Sequence, residues 1–159
     1  YSTEFAAGAK LHEIGQCNSC HFYGEEFPTG DAPTWAPNLA LTKERLNEDW
    51  VTEWLRNPSK IMPGTKMPAP YVPDREILSM NGAETDWGKD LIALDGDTTA
   101  MLNGLRDYLW NIQGETNIDG LIKAYFKENG YDFDSDSDYY DDEDDWDEGE
   151  DDWSEDEDW

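Results

Sequence analysis

Two cysteines and an adjacent histidine are the residues in this sequence best suited to chemistry. Cys17 and Cys20 are the only cysteines in 159 residues, and His21 follows the second one directly. A structural zinc site usually needs two pairs of Cys or His ligands, and the other histidine, His12, lies too close to Cys17 for that spacing. A thioredoxin-like redox pair needs a βαβ setting that the sequence lacks. A disulfide between the two thiols would close a strained short loop and leave the neighbouring histidine without a role.

The spacing of these residues matches the C-x-x-C-H signature of covalent haem attachment. Positions i and i+3 of a helical turn face the same way, so Cys17 and Cys20 can reach the two vinyl groups on one edge of the ring. His21 is at position i+4 from Cys17 and lies on the same side, where its imidazole can bind iron from the proximal face. We therefore predict one covalent haem c with His21 as a metal ligand.

A methionine in the segment PGTKMP, residues 63–68, is predicted to be the second metal ligand. A thioether is a soft, neutral ligand, and a His/Met pair raises the reduction potential of the iron. The prolines and the glycine restrict this segment, so Met67 can be held against the iron at little cost in entropy. Met62 is the nearest rival for this role, whereas Met80 and Met101 are predicted to pack inside the fold.

The sequence indicates helices joined by loops, with no strand alternation. Helices are predicted within residues 5–17, 47–57 and 97–113. The second begins at an asparagine cap and stops before a proline, and the third begins at an aspartate or threonine cap and ends at a glycine. Residues 22–41 are predicted to form a loop, and residues 74–96 to contain one or two helical turns at two places.

The motifs and their order resemble the class I c-type cytochromes of the mitochondrial and bacterial cytochrome c family. EWLRNPSKIMPGTKM, residues 53–67, is similar to that family's segment of helix, Asn-Pro and then Pro-Gly-Thr-Lys-Met. APNL, residues 36–39, is similar to its Gly-Pro-Asn-Leu, and LRDYLW, residues 105–110, to its C-terminal helix. The resemblance covers about residues 5–113. It implies an all-α, cytochrome c-like fold with three to four helices around one covalently bound haem.

The resemblance also implies a role for each matching residue. Four residues would carry the haem, two through thioethers and two through iron: Cys17, Cys20, His21 and Met67. The Pro37 carbonyl would accept a hydrogen bond from the His21 ring, which fixes the imidazole and raises its basicity. Trp54 lies where the family often has a tyrosine near the methionine sulfur. Thr65 matches a residue that contacts a haem propionate.

The sequence departs from the family in three places. The link between the axial methionine and the last helix is much longer, so residues 68–96 form an insertion that would wrap the haem edge or dock a partner. His12 takes the place of an aromatic residue in the first helix, and we expect a packed or surface side chain there rather than a further haem ligand. The basic rim of the mitochondrial carriers is absent.

Negative charge is concentrated at the C-terminal end. The chain has 38 acidic and 11 basic residues, and residues 131–159 hold 18 of the acidic ones and none of the basic ones. We predict a monohaem cytochrome c domain in residues 1–114, a linker or docking extension in 115–130, and an acidic tail in 131–159. Like charges prevent such a tail from folding alone. It is either a solvated, disordered segment or an anchor whose Trp and Tyr side chains bind a basic groove; a calcium site is a third alternative.

These features predict a function in one-electron transfer without catalysis by the chain itself. We expect a subunit or docked carrier of a larger respiratory or redox complex in the periplasm or another extracytoplasmic compartment. Its partners would be redox proteins with a basic docking surface for the acidic tail. Nucleic acid is not expected as a partner, because its phosphates would repel this charge. No apolar run approaches the ~20 residues of a membrane helix. The alternatives are a haem enzyme or gas sensor with an open distal position, and an interaction protein that acts through its tail.

Overall fold

The computed structural model describes residues 2–131, which are mostly helical and contain no β-strand. The predicted all-α class is confirmed for this part of the chain. The protein divides into two compact units, Tyr1–Ile118 and Asp119–Trp159. The predicted acidic tail, residues 131–159, lies outside the described residues except for Tyr131. No helix among those described is long and apolar enough to cross a membrane.

Four helices in the first unit have nine or more residues, and three others have four. In chain order, the α-helices of the described residues are α1 (Thr3–Ile14), α2 (Thr42–Arg45), α3 (Glu48–Arg56), α4 (Pro58–Ile61), α5 (Arg75–Leu78), α6 (Ala83–Ala93), α7 (Thr98–Trp110) and α8 (Asp119–Glu128). The last of these belongs to the second unit. Short 3-10 turns occur at Cys17–Ser19, Ala32–Thr34 and Leu39–Leu41.

Side-chain caps set the first residues of the predicted helices. The Asn47 side chain accepts hydrogen bonds from the backbone N–H groups of Asp49 and Trp50, at 3.0 and 3.3 Å, which satisfies donors that a helix start leaves unpaired. Asp97 caps α7 in the same way through the N–H of Ala100 at 3.0 Å. Both caps confirm the sequence prediction. The end of α7 differs, because the chain leaves the helix after Trp110 rather than at the predicted glycine.

The closest helix contact joins the two ends of the first unit. A Cβ atom added at Gly8 in α1 would lie 2.0 Å from the backbone oxygen of Gly104 in α7, and one added at Gly104 would lie 2.0 Å from the oxygen of Glu4. Since such distances are far below van der Waals contact, only glycine permits this crossing. The crossing brings the apolar faces together in one buried cluster formed by Ala7, Leu11, Val51, Leu55, Leu78, Leu91, Met101, Leu102, Leu105 and Leu109.

Polar contacts hold α3 against α7. The Thr52 hydroxyl donates to the side-chain oxygen of Asn103 at 3.0 Å. The largely buried Arg106 guanidinium pairs with Glu48 at 3.4 Å and with the neighbouring Asp107 at 2.7 Å. Because α3 also carries a predicted site residue, Trp54, these contacts fix its position relative to the core.

The insertion at residues 68–96 is part of the hydrophobic core. It forms α5 and α6 and supplies the buried side chains of Leu78 and Leu91. Met101 is completely buried, as predicted. The prediction that Met80 packs inside the fold is wrong, because 60% of it is exposed just after α5 ends. Gly88, with φ 79° and ψ 158°, breaks the helical geometry of α6.

Candidate haem-binding site

The two cysteines and His21 lie in one tight turn directly after α1. The backbone N–H groups of Cys20 and His21 both donate to the carbonyl of Cys17, at 3.3 and 3.0 Å. Gln16, in the left-handed region at φ 49°, turns the chain from α1 into this segment. The turn contains the two thiols at positions i and i+3, the spacing of the C-x-x-C-H signature. Both thiols are half-buried and neither forms a disulfide.

The environment of the Cys17 thiol disfavours its ionised form. Burial raises the pKa of the Cys17 thiol above its ordinary value; a backbone hydrogen bond opposes this effect, and the nearby Cys20 adds a smaller rise. A dithiol that attacks disulfides has a nucleophilic cysteine with a lowered pKa. The raised pKa of Cys17 therefore does not favour thiol–disulfide exchange.

The His21 ring has one nitrogen fixed and the other available. Its Nδ1 lies 2.7 Å from the carbonyl oxygen of Pro37. A carbonyl accepts only, so the proton is on Nδ1 and the lone pair is on Nε2. Burial lowers the pKa of His21, an effect that the Pro37 hydrogen bond opposes, and a lowered pKa favours the neutral ring. A neutral imidazole with a free Nε2 lone pair is the form that binds iron.

Backbone contacts hold the Pro37 loop against the cysteine turn. The N–H of Ala36 donates to the carbonyl of Cys20 at 2.8 Å, and that of Leu39 donates to the carbonyl of Phe22 at 2.9 Å. The Pro37 carbonyl lies between these two anchors. Its position opposite His21 is therefore set by the backbone rather than by the histidine alone.

The Met67 sulfur is held by a hydrogen bond from α3. The Trp54 indole N–H donates to Met67 Sδ at 2.9 Å, and the Thr65 hydroxyl accepts from the backbone N–H of Met67 at 3.3 Å. Met67 is partly buried and packs against the core cluster. The rival Met62 is 56% exposed. Since an axial ligand must be held in one place out of water, this comparison favours Met67.

The predicted site residues fall into two hydrogen-bonded groups. One contains Cys17, Cys20, His21 and Pro37, and the other contains Trp54, Thr65 and Met67. No hydrogen bond joins the two groups within residues 2–131. The first presents two thiols and an imidazole, and the second presents a thioether. These are the atoms that covalent haem c requires, so the residues fit the group.

His12 has two tyrosine partners. Its Nε2 is hydrogen-bonded to the hydroxyl of Tyr23, and its ring lies against Tyr108 with a centroid distance of 4.7 Å. Burial and, to a lesser extent, the charge of His21 lower its pKa. The packed side chain expected at this position is therefore present. The tyrosine partners lie in other parts of the chain, and no local spacing could have identified them.

No group of three or more His, Cys, Asp and Glu side chains within residues 2–131 is arranged to hold a metal ion. A haem iron needs no such group, because the porphyrin supplies four ligands and the protein adds two at most.

Comparison with known proteins gives one partial similarity. The chain is 35% identical over 72 residues to a Bacillus subtilis (strain 168) protein described as cytochrome c oxidase subunit 2. The match spans 40% of this chain and 20% of that protein, so the chain covers only a fifth of the relative's length. No protein-family model matches the chain. No solved structure matches it either.

The Trp54–Met67 contact leads to a first prediction. Replacing Trp54 by phenylalanine should cost about 0.5–1.5 kcal/mol of folding free energy, the usual net value of a hydrogen bond. In the haem-loaded protein it should also lower the reduction potential, because a sulfur without a donor gives more electron density to oxidised iron. Potentiometric titration and urea unfolding measure the two effects. Trp110→Phe is the control, because the Trp110 indole makes no hydrogen bond within the described residues, and a shift of equal size there would contradict the prediction.

Proposed function

We propose that residues 5–113 form a class I c-type cytochrome domain that binds one covalent haem c and transfers single electrons. The observation that carries this proposal is the pair of hydrogen bonds from His21 to Pro37 and from Trp54 to Met67. Each bond orients one predicted ligand side chain. The C-x-x-C-H turn and the similarity to an oxidase subunit support the same proposal.

In this proposal the chain's residues hold, orient and bury the redox group. Bound haem c supplies Fe(III)/Fe(II) cycling. Cys17 and Cys20 would hold the ring through thioethers, and the Pro37 carbonyl keeps the proton on His21 Nδ1, which leaves the Nε2 lone pair for the iron. The Trp54 N–H occupies one lone pair of the Met67 sulfur and leaves the other for the iron. Because each ligand is already held by a hydrogen bond, little of the protein needs to move when the charge changes.

We further propose that the chain works within a larger respiratory or redox assembly on the extracytoplasmic side of a membrane. The partial similarity to cytochrome c oxidase subunit 2 supports a respiratory setting. The acidic segment 131–159 would bind a basic surface on a redox partner. Affinity capture from native membranes with the full chain and with residues 1–130 tests that role, and equal recovery of redox partners would contradict it.

Expression of the full chain together with the c-type haem attachment machinery tests the haem proposal. The purified protein should be coloured, should keep its haem in a denaturing gel, and should be oxidised and reduced reversibly. The double variant Cys17→Ala, Cys20→Ala should lose the covalent haem, because no thiol remains to form a thioether. His12→Ala is the control, since His12 is assigned no bond to the haem. A colourless wild-type protein would overturn the proposed function.

A further inference from the structure

Two tryptophans of α3 connect the Met67 sulfur with the protein surface. Trp54, whose indole donates to Met67 Sδ at 2.9 Å, is stacked on Trp50 with a centroid distance of 5.1 Å and an interplanar angle of 14°. Trp50 is 38% exposed. The hydrogen bond and the stacked rings therefore form a continuous path of contacts from solvent to the proposed iron ligand.

The surface at the start of α3 combines apolar and acidic groups. Leu46, just before the helix cap, is 42% exposed, and we call Leu46 and Trp50, the two exposed apolar side chains at this end of α3, the Trp50 surface. The exposed carboxylates of α3 are Glu48, Asp49 and Glu53, of which Glu48 pairs with Arg106 at 3.4 Å and Glu53 with Arg56 at 3.5 Å. The helix has one cation, at its C-terminal residue Arg56. Asp49 makes no ion pair among the described residues, so its charge is available to a partner.

Each of these features favours the binding of another protein. Tryptophan is enriched among residues that dominate binding energy, where it fills a pocket at the centre of a contact. Carboxylates around such a residue steer a positively charged partner and set its orientation. A second copy of this chain is disfavoured as the occupant, because residues 1–130 hold 20 acidic and 11 basic residues and would repel each other.

We propose that the Trp50 surface is the docking site of a redox protein that presents an apolar patch bordered by lysine and arginine. This proposal rests on the proposed haem function. One electron passes between the partner's redox centre and the iron, so that one centre is oxidised as the other is reduced, and no proton or bond is exchanged. The stacked rings of Trp50 and Trp54 couple the two centres electronically and are not themselves oxidised.

The test uses the haem-loaded full chain and a lysine-rich mitochondrial cytochrome c as the probe partner. Binding is measured by calorimetry at low and high salt, and electron transfer by stopped-flow absorption. Trp50→Ala should weaken binding at low salt by about tenfold or more, as expected for a tryptophan at the centre of a contact. Asp49→Asn should weaken it less and should reduce its salt dependence. Both variants should keep the wild-type reduction potential, because the Trp54–Met67 contact remains.

Matched controls separate this surface from general effects. Met80→Ala removes a 60% exposed apolar side chain elsewhere, and Glu84→Gln removes an exposed charge from α6; neither should change binding. The proposal is overturned if Trp50→Ala binds and reacts as the wild type does, if the controls lose as much affinity, or if the wild type does not bind the probe at low salt. Covalent haem with reversible redox behaviour in the same samples would show that only the docking proposal had failed.

Discussion

Replacing Gly8 by alanine should destabilise the first unit by about 3 kcal/mol or more, at the upper end of the cost of overpacking. The added methyl carbon would lie 2.0 Å from the backbone oxygen of Gly104, and a backbone atom cannot rotate away as a side chain can. Alanine in place of helical glycine gains about 0.5–1 kcal/mol in backbone entropy, which is too little to offset the clash. Since small domains are stable by only about 5–15 kcal/mol, the loss is a large fraction of the total.

Urea unfolding of the haem-loaded protein, followed by far-UV circular dichroism, measures this effect. Gly104→Ala should behave in the same way, because its Cβ would lie 2.0 Å from the oxygen of Glu4. Gly120→Ala in α8 is the control, since within the described residues no atom outside its own stretch of helix lies within 4 Å of the added carbon. An unchanged unfolding midpoint for Gly8→Ala would show that α1 and α7 do not cross at these glycines.

Features that depend on neighbouring residues were predictable from the sequence. The Asn47 and Asp97 caps are local hydrogen bonds between a side chain and the following backbone. The cysteine turn is also local, so the five residues of the C-x-x-C-H motif were enough to predict a turn there. Met67 was selected over Met62 from the surrounding prolines and from family resemblance, and the structure adds a buried environment for the first and exposure for the second.

Features that depend on contacts between distant segments were not predictable. Nothing in the residues around Gly8 indicates that Gly104 will lie against it. The sequence predicts only one or two helical turns in the region of α6, because Gly88 interrupts the apolar periodicity of this helix. The resemblance placed Trp54 near the sulfur, but the direction of its N–H depends on how residues 63–68 pack against α3. Sequence patterns predict the local segment that contains each proposed ligand. Which distant residues contact that ligand depends on tertiary packing.

Replacing the Met67 thioether should open the distal position of the proposed haem site. Met67→Leu keeps the volume and the apolar character of the side chain, so it should cost less than about 1.5 kcal/mol of stability. It removes the sulfur, however, and leaves the distal position without a protein ligand. The weak far-red absorption band of Met-ligated ferric haem should disappear, the reduction potential should fall, and carbon monoxide should bind readily to the reduced protein.

Met62→Leu is the matched control for this experiment, because it makes the same chemical change five residues earlier at a side chain that is 56% exposed. It should leave the spectrum, the potential and carbon monoxide binding unchanged. If Met62→Leu instead abolished the far-red band, the ligand assignment would move to that residue. If the wild type already lacked the band and bound carbon monoxide, the distal position would be open and the enzyme or gas-sensor alternative would replace electron transfer. The indole hydrogen bond to the Met67 sulfur favours a closed site, because a ligand that is held in place competes well with an external molecule.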